Sequence, residues 1–271
     1  VTKLSFGPFG ITTGLTSSPE SIEAARVAEE LGYPAIWLSG GPLPGLQTIR
    51  DLVEATNRIR FVSGILSVDS YEPDDVAATY SALEAEAPGR FTVGLGGAHG
   101  ARPVATVREY LDRLGAVPEE HRLLAALGPR MLELARDRTA GAYPFLVTSE
   151  YTASARAILG ADKLLAVSHL TVVETDAERA RAIAREPISF FVTLPGYAAN
   201  LRRMGFSDSD LAELPDRMVD ALTAWGTPEQ IADQLREHLE AGADHVAVNI
   251  LTGVTGPQPI EQWRALAPML L

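Results

Sequence analysis

The residues with the clearest capacity for chemistry lie in Pro88-Gly-Arg-Phe-Thr-Val-Gly-Leu-Gly-Gly-Ala-His-Gly100. There a short β-type run, Phe91 to Val93, empties into a loop carrying Gly94, Gly96, Gly97 and Gly100. Glycines at a strand exit let backbone N–H groups approach a flat or anionic ligand, although a tight turn without a ligand would use them equally well. The spacing departs from the dinucleotide fingerprint. Gly94-x-Gly96 is followed by Gly100 with no helix just begun, and the stretch about twenty positions on holds Pro118 and reads as loop. His99 sits in the same loop, and an imidazole with an ordinary pKa of about 6.5 suits proton transfer near neutrality. It is a candidate acid/base or ligand-orienting group, with a plain phosphate or backbone hydrogen bond as the alternative. Asn249, near the end of the apolar run His245–Ile250, is a second candidate for contact with a ring or a substrate; a structural amide is the alternative.

Other polar residues read more plainly. His169 falls mid-strand and His245 at a strand start, both in structural positions; His121 belongs to the surface and Trp37 to the core, with the wall of a cofactor cleft as its alternative. Glu174 and Asp69 follow strands and could act as bases, a role exposed loop carboxylates seldom have. The chain has no cysteine, no His/Asp/Glu spacing of a metal site and no nucleophile elbow.

The elements that must position these residues are announced by one recurring device, a helix that ends in glycine and is followed at once by an apolar strand. It occurs at Glu30-Leu-Gly-Tyr-Pro-Ala-Ile-Trp-Leu38, at Thr139-Ala-Gly-Ala-Tyr-Pro-Phe-Leu-Val147, at Ile158-Leu-Gly-Ala-Asp-Lys-Leu-Leu-Ala-Val167 and at Glu240-Ala-Gly-Ala-Asp-His-Val-Ala-Val248. Glycine closes a helix, and a continuous apolar run suits a strand covered on both faces. Strands are predicted at 4–9, 35–38, 59–66, 91–93, 123–126, 142–147, 165–173 and 245–250. Eight strands alternating with helices predict a single α/β domain over 1–271, a (β/α)8 TIM barrel with its functional residues in the loops after the strands; a doubly wound sheet is the alternative. The stretch from about 187 to 226 has helical periodicity and holds Tyr197, Asn200, Phe206 and Trp225. It reads as a helical insertion between strands 7 and 8, lying over the strand C-terminal ends.

Composition narrows the partners. With 271 residues and 46% hydrophobic content the chain can bury a large core. A formal charge of −12, from 23 basic and 35 acidic residues, speaks against nucleic acid and anionic membrane surfaces and leaves small molecules as the expected substrates. Without cysteine, without an apolar leader at Val1–Phe9 and without a long apolar run, the expectation is an unanchored cytoplasmic protein.

Taken in order, Pro88-Gly-Arg-Phe with Gly94-Leu-Gly-Gly, the Arg108-Glu-Tyr-Leu-Asp112 helix, Leu124-Ala-Ala-Leu-Gly-Pro-Arg-Met-Leu132, Ala140-Gly141-Ala142, Trp225-Gly-Thr-Pro-Glu229 and Ala241-Gly-Ala-Asp244 give the chain a family likeness. It resembles the luciferase-like monooxygenase superfamily, particularly an actinobacterial branch of coenzyme F-420-dependent oxidoreductases. The resemblance implies a barrel, often a homodimer, that binds the deazaflavin F-420 or FMN at its C-terminal mouth. An F-420 enzyme would transfer hydride to or from a small organic substrate, and an FMN enzyme would be a monooxygenase served by a separate flavin reductase. A barrel that binds flavin without turnover is the third reading. The resemblance places Ser63-Gly64-Ile65-Leu66 at a bulge with a non-proline cis peptide behind the ring, so Gly64, Ile65 and Leu66 are expected cofactor contacts. So are Gly94, Gly96 and Gly97 of the glycine loop, Ser39 after the second strand and Gly141. Leu127, Gly128 and Pro129 open a helix whose free N–H groups and dipole could hold a phosphate. Two departures stand out. Where many deazaflavin dehydrogenases of the family place a catalytic histidine, this chain reads Ser39-Gly40-Gly41-Pro42, and its loop from Gly96 to Val104 is short.

Overall fold

The computed structural model describes residues 3–39, 43–254 and 256–271; Gly40, Gly41 and Pro42 of the departure noted above fall outside them. In chain order the elements are β1 (Phe9–Thr13), α1 (Pro19–Glu30), β2 (Ala35–Ser39), α2 (Gln47–Ala55), β3 (Arg60–Gly64), β4 (Leu66–Ser67), α3 (Pro73–Glu86), β5 (Phe91–Gly96) and α4 (Pro103–Arg113). They continue with β6 (Arg122–Leu124), α5 (Pro129–Arg138), β7 (Gly141–Ala142), α6 (Ser149–Leu159), β8 (Leu164–Val172) and α7 (Ala177–Phe191). The last are α8 (Pro195–Arg203), α9 (Asp208–Glu213), α10 (Asp216–Leu222), β9 (Thr223–Trp225), α11 (Pro228–Glu240), β10 (His245–Ile250) and α12 (Ile260–Leu270).

Every ladder is parallel, and β10 pairs with both β1 and β8, which closes the sheet. β3 and β4 are one barrel strand interrupted at Gly64–Ile65, whose peptide is cis. The result is an eight-stranded TIM barrel, as the alternation of strands and helices predicts. Strands and helices share a core that includes Ile36, Leu38, Phe61, Val246 and Val248, while Trp37, Val62, Leu123, Tyr143 and Ala247 fill the barrel's interior. This two-sided cover is why β8 is buried at all nine positions and opens on the apolar run Leu164–Val167. Local signals start the helices: Ser18 accepts the Ser21 N–H ahead of Pro19 in α1, and Thr227 and Gln230 form a reciprocal capping box on α11.

Some strand boundaries differ from expectation for physical reasons. The first strand is Phe9–Thr13, not 4–9, because Gly7 turns at φ +74° and Pro8 has no N–H. Phe6 instead closes the bottom of the barrel, its ring edge-on to Trp37 at 5.6 Å. The run 142–147 yields only Gly141–Ala142, since Pro144 cannot donate and Leu146 adopts φ 59°. β5 extends through Gly94 and Gly96, which the sequence places in a loop. The helix that follows β8, α7, runs past Pro187, the expected start of the insertion, to Phe191. Helices α7 to α10 enclose a separate apolar cluster with Leu201, Met218 and Leu222, and β9 returns the chain to β8 at Thr223↔Leu170.

Candidate active site

The C-terminal ends of the strands carry the polar groups. Thr12 on β1 stands opposite Asn249 on β10, and Ser39 on β2 opposite Gly64 on β3. Beneath them Tyr143, just past β7, is fully buried and stacks flat on Trp37 at 4.1 Å and 13°. The Tyr143 hydroxyl shares a 3.1 Å hydrogen bond with the Thr12 hydroxyl. Burial pushes its phenol up to about 12, against the opposing pull of hydrogen bonds from Ser168 and Thr12, so the group is a neutral hydroxyl. Below Trp37, the indole N–H donates to His245 Nε2 at 2.9 Å. An indole only donates, so His245 keeps its proton on Nδ1 and donates it to the Gly7 carbonyl at 2.7 Å. Burial pulls this imidazole down to about 4, which leaves it neutral at physiological pH. The barrel therefore has a solid aromatic floor, and chemistry is confined to the mouth above it.

The glycines expected to cradle a ligand divide into two groups. A Cβ at Gly94 would lie 1.9 Å from the Ser63 carbonyl oxygen, one at Gly96 2.8 Å from the Ala125 Cβ, and one at Gly141 1.9 Å from the Leu164 carbonyl oxygen. These three make room for neighbouring protein atoms, and Gly141 sits low in the barrel, beside the first residue of β8. Gly97, at φ +71°, would press on Ser67, and Gly64 lies over the Tyr143 ring. Ile65 reaches across to Gly96 from the bulge, whereas Leu66 turns outward into the strand–helix core. Gly128 differs. Among the described residues, the atoms facing its missing Cβ are the Arg203 guanidinium's, at 3.4 Å and beyond.

Gly128 is the N-cap of α5, with no side-chain cap, Pro129 next and no acid in the first turn. Arg203 approaches this positive end of the helix from α8. The loop entering it is pinned by the Tyr151 hydroxyl, which donates to the Ala126 and Leu127 carbonyls at 3.1 and 2.8 Å. By contrast the N-terminus of α6 holds its own acid: Glu150 is hydrogen-bonded to its own N–H and to Thr148, which keeps its carboxyl below the usual range. Of the two neighbouring helix starts, α5 is the one with donors to offer an anion.

His99 lies on the rim. Its side chain is 67% exposed, and Asp69 accepts its backbone N–H at 2.9 Å and meets Nδ1 at 3.2 Å. Asn249 is half-buried at the mouth, and its amide makes no hydrogen bond among the described residues. Glu174 is tied to Arg179 at 3.1 Å. His169 is buried on the outer face of β8 against His238, whose Nδ1 meets the Thr152 hydroxyl at 2.8 Å, so this pair is structural. Among the described residues no group of His, Asp and Glu could hold a metal ion. A recess of about 540 Å3 lined by Arg108, Arg130 and Asp137 is built from α4 and α5 side chains alone and faces away from the strands. Sequence reasoning missed Thr12, Tyr143, Tyr197 and Arg203. A tyrosine just ahead of Pro144 reads as strand core, and its partner Thr12 is 131 positions away.

The luciferase-like monooxygenase family model matches residues 4–113 and 106–245, and the chain belongs to that family. It is 33% identical over 99 residues to the uncharacterized protein YwcH of Bacillus subtilis, covering 34% of this chain and 29% of that protein. It is 28% identical over 144 residues to the N-acetyl-S-alkylcysteine monooxygenase of the same organism, covering 44% and 42%. The chain thus matches less than half the length of either relative. An F-420-dependent secondary alcohol dehydrogenase, solved with an F-420–acetone adduct, superposes with a TM-score of 0.75 at 13% identity, over 99% of this chain and 98% of that one.

Proposed function

We propose that the barrel mouth binds a flavin-type cofactor and that the protein transfers hydride with coenzyme F-420, to or from a small uncharged or weakly polar organic substrate. The observation that carries this reading is the uncapped N-terminus of α5, with Arg203 beside it, at the same end of the barrel as the Gly64–Ile65 bulge and the closed Trp37–Tyr143 floor. Free helix N–H groups with a guanidinium beside them suit a phosphate, and a bulge over an aromatic floor suits a flat ring. When bound, F-420 supplies or accepts the hydride. The protein's own part is to hold the phosphate at Gly128 and Arg203, to support the ring at Gly64, Ile65 and Ser39, and to exclude water from below. Asn249 offers its amide from the β10 side.

F-420 is preferred to FMN because the resemblance points to the deazaflavin branch. The monooxygenase among the relatives favours the second reading, an FMN enzyme served by a reductase. We expect a cytoplasmic homodimer in either case. Titration of the purified protein with F-420 and with FMN, followed by cofactor fluorescence, separates the readings. Tighter binding of F-420 is expected; tighter binding of FMN reverses the order, and binding of neither removes the flavin reading. Bound cofactor that no panel of alcohols, aldehydes or ketones reduces or oxidises would identify a non-catalytic flavin-binding barrel.

A further inference from the structure

One side of the mouth is walled by aromatic rings that the cofactor contacts above do not use. Phe145 lies two residues beyond Tyr143 and bridges to Ser168 of β8, so it stands at the mouth beside the floor. Phe191 at the end of α7 packs edge-on against it at 5.0 Å and 81°. Tyr197 of α8 meets Phe191 at 4.9 Å and Phe145 at 6.1 Å. All three rings are half-buried, which leaves part of each free. The Tyr197 hydroxyl makes no hydrogen bond among the described residues, unlike that of Tyr143. Burial, with Tyr143 nearby, drives the Tyr197 phenol upward, so it remains a neutral donor through the neutral range. Among the described residues no charged side chain hydrogen-bonds or ion-pairs with Phe145, Phe191 or Tyr197, and Glu174, just past β8, is paired with Arg179.

We propose that this wall is the substrate subsite and that it selects an uncharged, flat, apolar molecule with one hydrogen-bond-accepting oxygen. The molecule stacks against Phe145 and Phe191 and takes a hydrogen bond from the Tyr197 hydroxyl. A carboxylate in the same place would lose its hydration with no cation bonded to the wall to compensate, Arg203 of α8 being turned to Gly128 and Asn200. Aromatic edges and faces reward planar apolar ligands, and one free hydroxyl in an apolar wall discriminates sharply for an acceptor. The inference names the substrate class for the proposed oxidoreductase site, yet the wall belongs to the protein alone and can be probed without cofactor.

The test is equilibrium binding by calorimetry, on cofactor-free and cofactor-titrated protein, of acetophenone, 4-acetylbenzoate and α-methylstyrene, the last an analogue of acetophenone without the oxygen. Acetophenone should bind at least tenfold more tightly than 4-acetylbenzoate. Tyr197→Phe should weaken acetophenone about fivefold or more and leave α-methylstyrene unchanged, which a general disturbance of the wall would not do. Phe145→Ala should weaken both by a similar factor, with the circular dichroism spectrum and melting temperature of each variant confirming a retained fold. Equal or tighter binding of the carboxylate, an unchanged acetophenone-to-styrene ratio in Tyr197→Phe, or no ketone binding in either state overturns the proposal. Failure of F-420 and FMN to bind while acetophenone still binds as described overturns the cofactor reading and supports this one.

Discussion

Gly128 offers the sharpest test at the scale of one residue, because the two consequences of changing it have opposite signs. Its backbone, at φ −88° and ψ 156°, has the geometry of an N-cap that aspartate fills well. Gly128→Asp should therefore leave the melting temperature unchanged or slightly raised. It should also lower cofactor affinity about tenfold or more, since the carboxylate takes the helix N–H groups and Arg203 that a phosphate would use. Fluorescence titration beside thermal denaturation reads both, and unchanged affinity would remove α5 from the site. Gly96→Val behaves differently. Its side chain would meet Ala125 and Ile65 rather than a ligand, so the variant should lose stability, by about 1–3 kcal/mol for overpacking, and any loss of binding should follow from that. His99 sits at the exposed rim in the grasp of Asp69, so His99→Asn should change kcat and cofactor affinity by less than about threefold between pH 5 and 9. A fall of about 10²-fold in kcat would restore it as a proton carrier.

At the scale of elements, Glu29 at the end of α1 holds the turn that leads from α2 into β3. Its carboxylate accepts the Asn57 N–H at 2.9 Å, the Ile59 N–H at 2.9 Å and the Arg58 N–H between them. Burial opposes the charge, but these backbone donors together outweigh it and hold the carboxyl below its usual range. A folded pKa below the unfolded one means that the stabilisation is present above the unfolded value of about 4.3 and is lost as pH falls through the folded value. Glu29→Gln should cost about 1.5–3 kcal/mol in urea unfolding at pH 7, with a smaller difference from the parent protein at pH 3. An equal cost at both pH values would show that the charge is immaterial.

Across the whole molecule, His169, His238 and His245 are buried and neutral. Burial carries His238 and His245 down to about 4 and His169 well below its ordinary value. Each binds a proton more readily unfolded than folded, so stability is greatest above about pH 6.5 and declines as pH falls from there toward about 4. Each histidine adds up to about 1.4 kcal/mol per pH unit within that window. The melting temperature should be nearly flat from pH 7 to 8.5 and fall steeply below pH 6; a profile level down to pH 5 would show that these rings are not held neutral. His238→Asn should flatten the acid limb by about one third.

How much of this was legible in the sequence follows from the range of the interactions. Helix starts at Ser18-Pro19 and Thr227-Pro228, glycine stops, and apolar runs such as His245–Ile250 are local, so the alternation of strand and helix, and with it the barrel and the family likeness, could be read from the chain alone. The site could be read only in part. Gly94 and Gly96 looked like ligand space because sequence does not reveal that Ser63 and Ala125 occupy it. The tertiary structure brought Tyr143 to Thr12, Trp37 to His245 and Arg203 to Gly128, contacts between residues 75 to 208 positions apart whose types carry no local signature. Parallel strands meet through long crossovers, so the side chains that converge at the barrel mouth are set by strand register and closure rather than by any neighbour in the chain.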